Sequence, residues 1–114
     1  MPRNKKIFSY EEALAALPDV QVVTGRSVAA IEALLDLEGE NEEEPDVPQE
    51  LLPEYQRIVS EWAEAVIEMG IEVKGLWLID FDSGAGYYCW RYPEPTLEYF
   101  HGYEEGFGGR VKLN

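Results

Sequence analysis

Cysteine and histidine occur once each in this chain, as Cys89 and His101, and the two scarcities bound its chemistry. A single cysteine excludes an intrachain disulfide, and any histidine-dependent step must use His101. A structural zinc site of four closely spaced nitrogen and sulfur ligands cannot be assembled from them. Positive charge is also short, with 9 Lys and Arg against 23 Asp and Glu for a net charge of -14. Nucleic acids gain affinity by releasing counterions onto Lys and Arg, so this balance argues against DNA and RNA as partners. Anionic membrane surfaces are disfavoured for the same reason. The basic cluster of Arg3, Lys5 and Lys6 is short and terminal and reads as a solvated tail. No apolar stretch approaches the roughly 18 residues of a membrane span. The opening Met-Pro-Arg-Asn-Lys-Lys leads into a helix start rather than an apolar leader. A reducing cytoplasm fits these features.

Material for a core is present, since 46% of the 114 residues are apolar and 12% aromatic. A chain of this length forms a single domain, 1–114, burying roughly 65% of its unfolded surface. Ser9-Tyr10-Glu11-Glu12 has the pattern of a capping box, starting a short helix over Tyr10 to Leu17 that stops or bends at Pro18. Val20, Val23, Ser27, Ile31, Leu34 and Leu35 then recur at three- and four-residue steps, which predicts a second helix ending near Gly39. The β-branched run Val20 to Gly25 also admits a short strand. Residues 38–50 are acidic, without a base, and read as a solvated connector. Leu51 or Leu52, Tyr55, Ile58 or Val59, Trp62, Val66 and Met69 form one stripe of a further helix, with Glu54, Glu61, Glu64 and Glu68 pointing away and Gly70 as its stop. That helix is expected to fold back on the previous one as an antiparallel hairpin, giving a helical part over 9–69.

Past Gly70 the period changes to two. Ile71-Glu72-Val73 is a short extended piece, and Trp77 to Phe81 alternates before the turn Asp82-Ser83-Gly84-Ala85-Gly86. Tyr87 to Tyr92 and Thr96 to His101 read as strands around the Pro93-Glu94-Pro95 corner. The segment after them holds Gly102, Gly106, Gly108 and Gly109, four of the ten glycines, and reads as a loop. The predicted fold is α+β, a helical hairpin plus a short N-terminal helix on a three-stranded antiparallel meander over 71–114.

Tyr88-Cys89-Trp90-Arg91, Glu94, Tyr99-Phe100-His101, Gly106-Phe107 and Arg110 resemble the C-terminal signature of a bacterial family, domain of unknown function 2203. Phe8 to Ala13, Leu17-Pro18, Val73-Lys74 and Leu78 to Phe81 are similar to other parts of it. The resemblance implies a cytoplasmic bacterial setting and carries no established activity. It directs attention to the sheet end of the molecule.

Several residues there are suited to chemistry. His101 lies at a strand end before Glu104 and Glu105, and imidazole with carboxylates suits zinc, manganese or iron. Asp80 adds an oxygen donor if its strand lies alongside. The plain alternative is a histidine hydrogen-bonded to a carboxylate for structure alone. Cys89 is a possible reactive thiol if His101 shares its face, or simply a small core residue. Pairing Tyr92 with Leu97 puts Cys89 opposite Phe100 and on the other face, and a shift of one residue reverses this. Arg91, Glu94 and Arg110 are candidates for contact with an anion or a partner, or for internal ion pairs. The aromatics exceed what one sheet face can bury, so Trp77, Trp90, Tyr92 and Tyr99 are interface candidates. The leading expectation is a non-catalytic binding or self-assembly module with a protein partner or a second copy, and no confident cofactor. The alternative is a metal or small-ligand site, hydrolytic or not, at His101 with Glu104 or Glu105 and Asp80.

Overall fold

The computed structural model describes residues 6–36 and 46–113. Two helices pack on one face of a five-stranded antiparallel sheet in the order β1-β2-β3-β4-β5. The first helix, α1 (Tyr10–Leu35), begins with the expected capping box. The Ser9 hydroxyl accepts from the Glu12 amide, and the Glu12 carboxylate accepts from the Ser9 amide, both at 3.0 Å.

The predicted stop at Pro18 does not occur, and α1 runs through it. An interior proline removes one backbone hydrogen bond and strains the preceding turn, a cost of about 3 kcal/mol. That cost is offset by a continuous buried stripe on both sides of it, formed by Ala13, Leu17, Val20, Thr24, Val28 and Ile31. The same stripe overrides the β-branched character of Val20 to Gly25. A single long helix therefore replaces the short helix and the second helix expected from the sequence. It ends at Leu35, where Asp36 takes the left-handed conformation with φ 58°. The expected end near Gly39 and much of the acidic connector lie outside the described residues.

Helix α2 (Leu52–Glu68) follows a 3-10 turn, Gln49–Leu51, and buries Ile58, Trp62 and Val66. Arg57 bridges Glu54 and Glu61 on its exposed side. A buried polar contact joins the two helices, the Trp62 Nε1 donating to Thr24 Oγ1 at 2.8 Å. Trp62 also meets the Trp77 ring edge-on with centroids 4.8 Å apart.

The sheet comprises β1 (Glu72–Gly75), β2 (Leu78–Asp82), β3 (Tyr87–Arg91), β4 (Tyr99–His101) and β5 (Val111–Lys112). The expected three-strand meander is thus its centre. β1 and β5, too short for a period to declare itself, extend it at either edge. Strand alternation divides the residues cleanly. Ile79, Phe81 and Trp90 face the helices and are buried with Phe8 and Leu97. Trp77 and Trp90, candidates for an exposed interface, are 8% and 1% exposed and belong to this core. The opposite face carries Asp80, Tyr87, Cys89, Tyr99 and His101.

That opposite face is not left open. The segment after β4 folds back over it, with Tyr103 edge-on to Tyr87 at 5.1 Å and Arg110 lying over Tyr99 at 3.9 Å. The surplus of aromatics is thereby largely spent inside the molecule. Tyr92 packs at the margin of the core and Tyr99 beneath Arg110; both are half-buried.

The β2–β3 turn sets the geometry beneath this cover. A Cβ at Gly86 would collide with the Phe100 ring and stand 2.7 Å from the His101 carbonyl. Gly86→Ala is therefore expected to destabilise by about 1–3 kcal/mol through overpacking. A urea unfolding curve within 0.5 kcal/mol of wild type would contradict this close approach.

Candidate metal and ligand site

Asp80, Cys89 and His101 come from three adjacent strands, β2, β3 and β4. The β2–β3 register pairs Asp80 directly with Cys89, and the β3–β4 register pairs Tyr87 with His101. Cys89 therefore faces Tyr99 rather than Phe100 and lies on the same face as His101. The sequence argument from a Tyr92–Leu97 pairing is off by one residue. The corner between β3 and β4 is not a simple hairpin: Glu94 N donates to the Arg91 carbonyl at 2.8 Å, and Leu97 is drawn fully into the core.

One donor atom from each of the three residues lies within 4.8 Å of the others, and all three residues are buried. His101 Nδ1 sits 2.8 Å from the Gly102 carbonyl, and Nε2 sits 2.9 Å from Asp80 Oδ2. A carbonyl only accepts, so Nδ1 carries a hydrogen and Nε2 is the nitrogen turned to Asp80. One proton bridges Nε2 and Oδ2. The other oxygen, Asp80 Oδ1, is buried with no hydrogen-bond partner.

Burial pushes the Asp80 carboxyl above the usual carboxylate range, against the pull of the Cys89 thiol, His101 and Lys74. Burial, with the neighbouring Asp80 charge, pushes the Cys89 thiol up to about 12. Burial and the Asp80 carboxylate beside it hold the Cys89 proton, and both His101 nitrogens are engaged elsewhere, so the thiol is not activated as a nucleophile. Burial and Asp80 oppose the reactive-thiol reading, and the Arg110 guanidinium beside the sulfur offsets them only in part.

A pocket of about 470 Å³ opens over these groups, lined by Lys74, Leu78, Tyr103, Glu104, Glu105 and Phe107 among others. Lys74 Nζ lies 3.3 Å from Glu72 and 3.9 Å from Asp80 Oδ2. Glu105 is turned to its own loop, accepting from the Gly102 amide at 3.0 Å, and this bond shapes the backbone next to His101. Glu104 is exposed on the pocket wall. The donor group brought together is thus Asp80, His101 and Cys89, not His101 with Glu104 or Glu105.

The remaining candidates form a second layer. Glu94 is the ion-pair partner of Arg110 in the corner, its two oxygens meeting the guanidinium at 3.1 and 2.8 Å. Glu94 also accepts from the Arg91 amide at 2.9 Å, while the Arg91 guanidinium lies over Phe107. Sequence reasoning missed Lys74, Glu72 and Tyr103 as neighbours of the site, and missed Cys89 as a member beside Asp80. The signal for Cys89 was present: a turn closing Asp82 on Tyr87 fixes Asp80 opposite Cys89.

An α+β protein with a buried carboxylate, imidazole and thiol at the base of a pocket is what the fold defines. The chain matches the sequence profile of the family described as uncharacterized conserved protein, domain of unknown function 2203, over residues 6–113, and it belongs to that family. No curated protein and no solved structure matches it significantly. Among the described residues no helix is long and apolar enough to cross a membrane.

Proposed function

We propose that this protein binds a divalent transition metal of the zinc class through Asp80, Cys89 and His101. The observation that carries the reading is the convergence of three buried donors of different kinds within 4.8 Å. Ligands around a tetrahedral zinc, with bonds of about 2.0–2.3 Å, stand roughly 3.3–3.6 Å apart, so only small side-chain shifts are needed. The mixed nitrogen, sulfur and oxygen set suits zinc better than magnesium or calcium, which take oxygen.

Two details support the reading against a purely structural Asp–His pair. The Nδ1–H bond to the Gly102 carbonyl is the arrangement that metal-bound histidines use to fix their orientation, leaving Nε2 for the metal. A structural pair would also be expected to satisfy both carboxylate oxygens, and Asp80 Oδ1 has no hydrogen bond. A divalent ion would take the place of the bridging proton and the thiol proton, two positive charges for two, so that the site stays neutral. Three protein ligands leave a further coordination position, and the pocket supplies room for a small ligand beside it.

The test is zinc-dependent thermal stability. Zinc at a hundredfold excess over its dissociation constant contributes about 2.7 kcal/mol, which in a domain this size raises Tm by roughly 10 °C. Cys89→Ser is expected to weaken zinc binding at least tenfold, moving the titration midpoint accordingly. Identical midpoints would remove Cys89 from the ligand set, and a Tm indifferent to zinc would remove the site.

A further inference from the structure

Arg110 is held more firmly than a surface arginine has reason to be. Its guanidinium lies 3.9 Å from the centre of the Tyr99 ring and 4.1 Å from that of Phe107. Both oxygens of Glu94 receive it, and its side chain is only 12% exposed. The box is assembled from separate parts of the chain: β4 supplies Tyr99, the β3–β4 corner supplies Glu94, and the 3-10 turn Phe107–Gly109 supplies Phe107. A planar fork stacked on rings and paired with a carboxylate has few orientations left. In the one it adopts, Nη1 points at Cys89 Sγ, 3.9 Å away.

We infer that Arg110 is a positioning residue for the metal site, donating a hydrogen bond to the Cys89 sulfur when that sulfur is a ligand. The inference rests on the metal reading above and deepens it. A thiolate bound to a metal keeps lone pairs that a fixed donor can engage, and such outer contacts orient the ligand and tune how strongly sulfur donates. Glu94, Tyr99 and Phe107 act through Arg110 and touch no ligand atom in the described contacts. This gives one physical task to residues scattered along the C-terminal signature, and it explains why the loop after β4 is folded back over the sheet.

Cobalt(II) is the probe, because a cobalt–thiolate bond has a charge-transfer absorption that reports on the sulfur. Wild type, Arg110→Met and Phe107→Ala are titrated with cobalt and followed by absorption, with circular dichroism checking the fold. A hydrogen bond stabilises the sulfur lone pairs, so its loss moves the band to longer wavelength. Arg110→Met is expected to show that shift with cobalt affinity reduced about 10- to 100-fold. Phe107 is 41% exposed, so Phe107→Ala keeps the fold if Arg110→Met does not, and it is expected to shift the band in the same direction by less. A wild-type band left unchanged in folded variants overturns the role of Arg110 while the metal site stands. Absence of any cobalt–thiolate band in wild type overturns the metal reading and this inference with it.

Discussion

Trp62→Ala is expected to destabilise the protein by about 3–5 kcal/mol, the largest single loss on the helical side. Trp62 is 1% exposed and sits where α1, α2 and the sheet meet. Its indole stacks edge-on with Trp77, and its Nε1 hydrogen satisfies Thr24 Oγ1 inside the helix interface. Truncation would leave a cavity and a buried hydroxyl without its partner. Domains of this size are stable by roughly 5–15 kcal/mol in all, so the variant would stand near its folding threshold. Trp62→Phe keeps most of the volume and loses the hydrogen bond, and should cost less. Equal urea midpoints for wild type and Trp62→Ala would show that the helices are not docked through this residue.

His101→Ala has the second large effect, and it acts on stability and binding together. Without zinc, the substitution leaves Asp80 buried and without the imidazole that shares its proton. Removing one partner of a buried charged pair commonly costs about 3–5 kcal/mol. Removing Asp80 as well deletes the stranded group, so Asp80→Ala with His101→Ala should be less damaging than the sum of the single changes. Zinc affinity in His101→Ala should fall by on the order of a hundredfold or more, since even outer contacts are worth 10- to 100-fold. Strict additivity in unfolding experiments in chelator would contradict the pairing, and zinc affinity matching wild type would contradict ligation by His101.

Much of this architecture could be read from the chain, because short-range patterns carried it. The capping box at Ser9, the stripe on α2 and the turn at Asp82 to Gly86 all depend on neighbours within a few residues. Pro18 misled because its local cost is real, while the burial that offsets it is spread over Ala13 to Ile31 and depends on α2 and the sheet. β1 was read only as the extended piece Ile71-Glu72-Val73 and β5 as loop, because strands of four and two residues barely establish a period.

The site was legible in its parts and not in its assembly. His101 and Asp80 stood out as donor types, but the faces of Cys89 and His101 depended on one residue of register at the Pro93-Glu94-Pro95 corner. That register is set by Leu97 entering the core and by Glu94 closing the turn on Arg91, contacts that no periodicity encodes. Exposed aromatics seemed unavoidable for the same reason: nothing local shows that the loop after β4 returns to cover the sheet. Glu104 and Glu105 were suggested by sequence proximity to His101. Cross-strand geometry instead selects Cys89.

Metal content tests the central claim most directly. Untagged protein, purified without chelator and supplied with one equivalent of zinc, is desalted and measured for zinc and protein together. The account predicts close to one zinc per chain in wild type and a small fraction of that in His101→Ala. Wild-type protein that retains no stoichiometric zinc, and whose melting temperature neither zinc nor manganese changes, would contradict it.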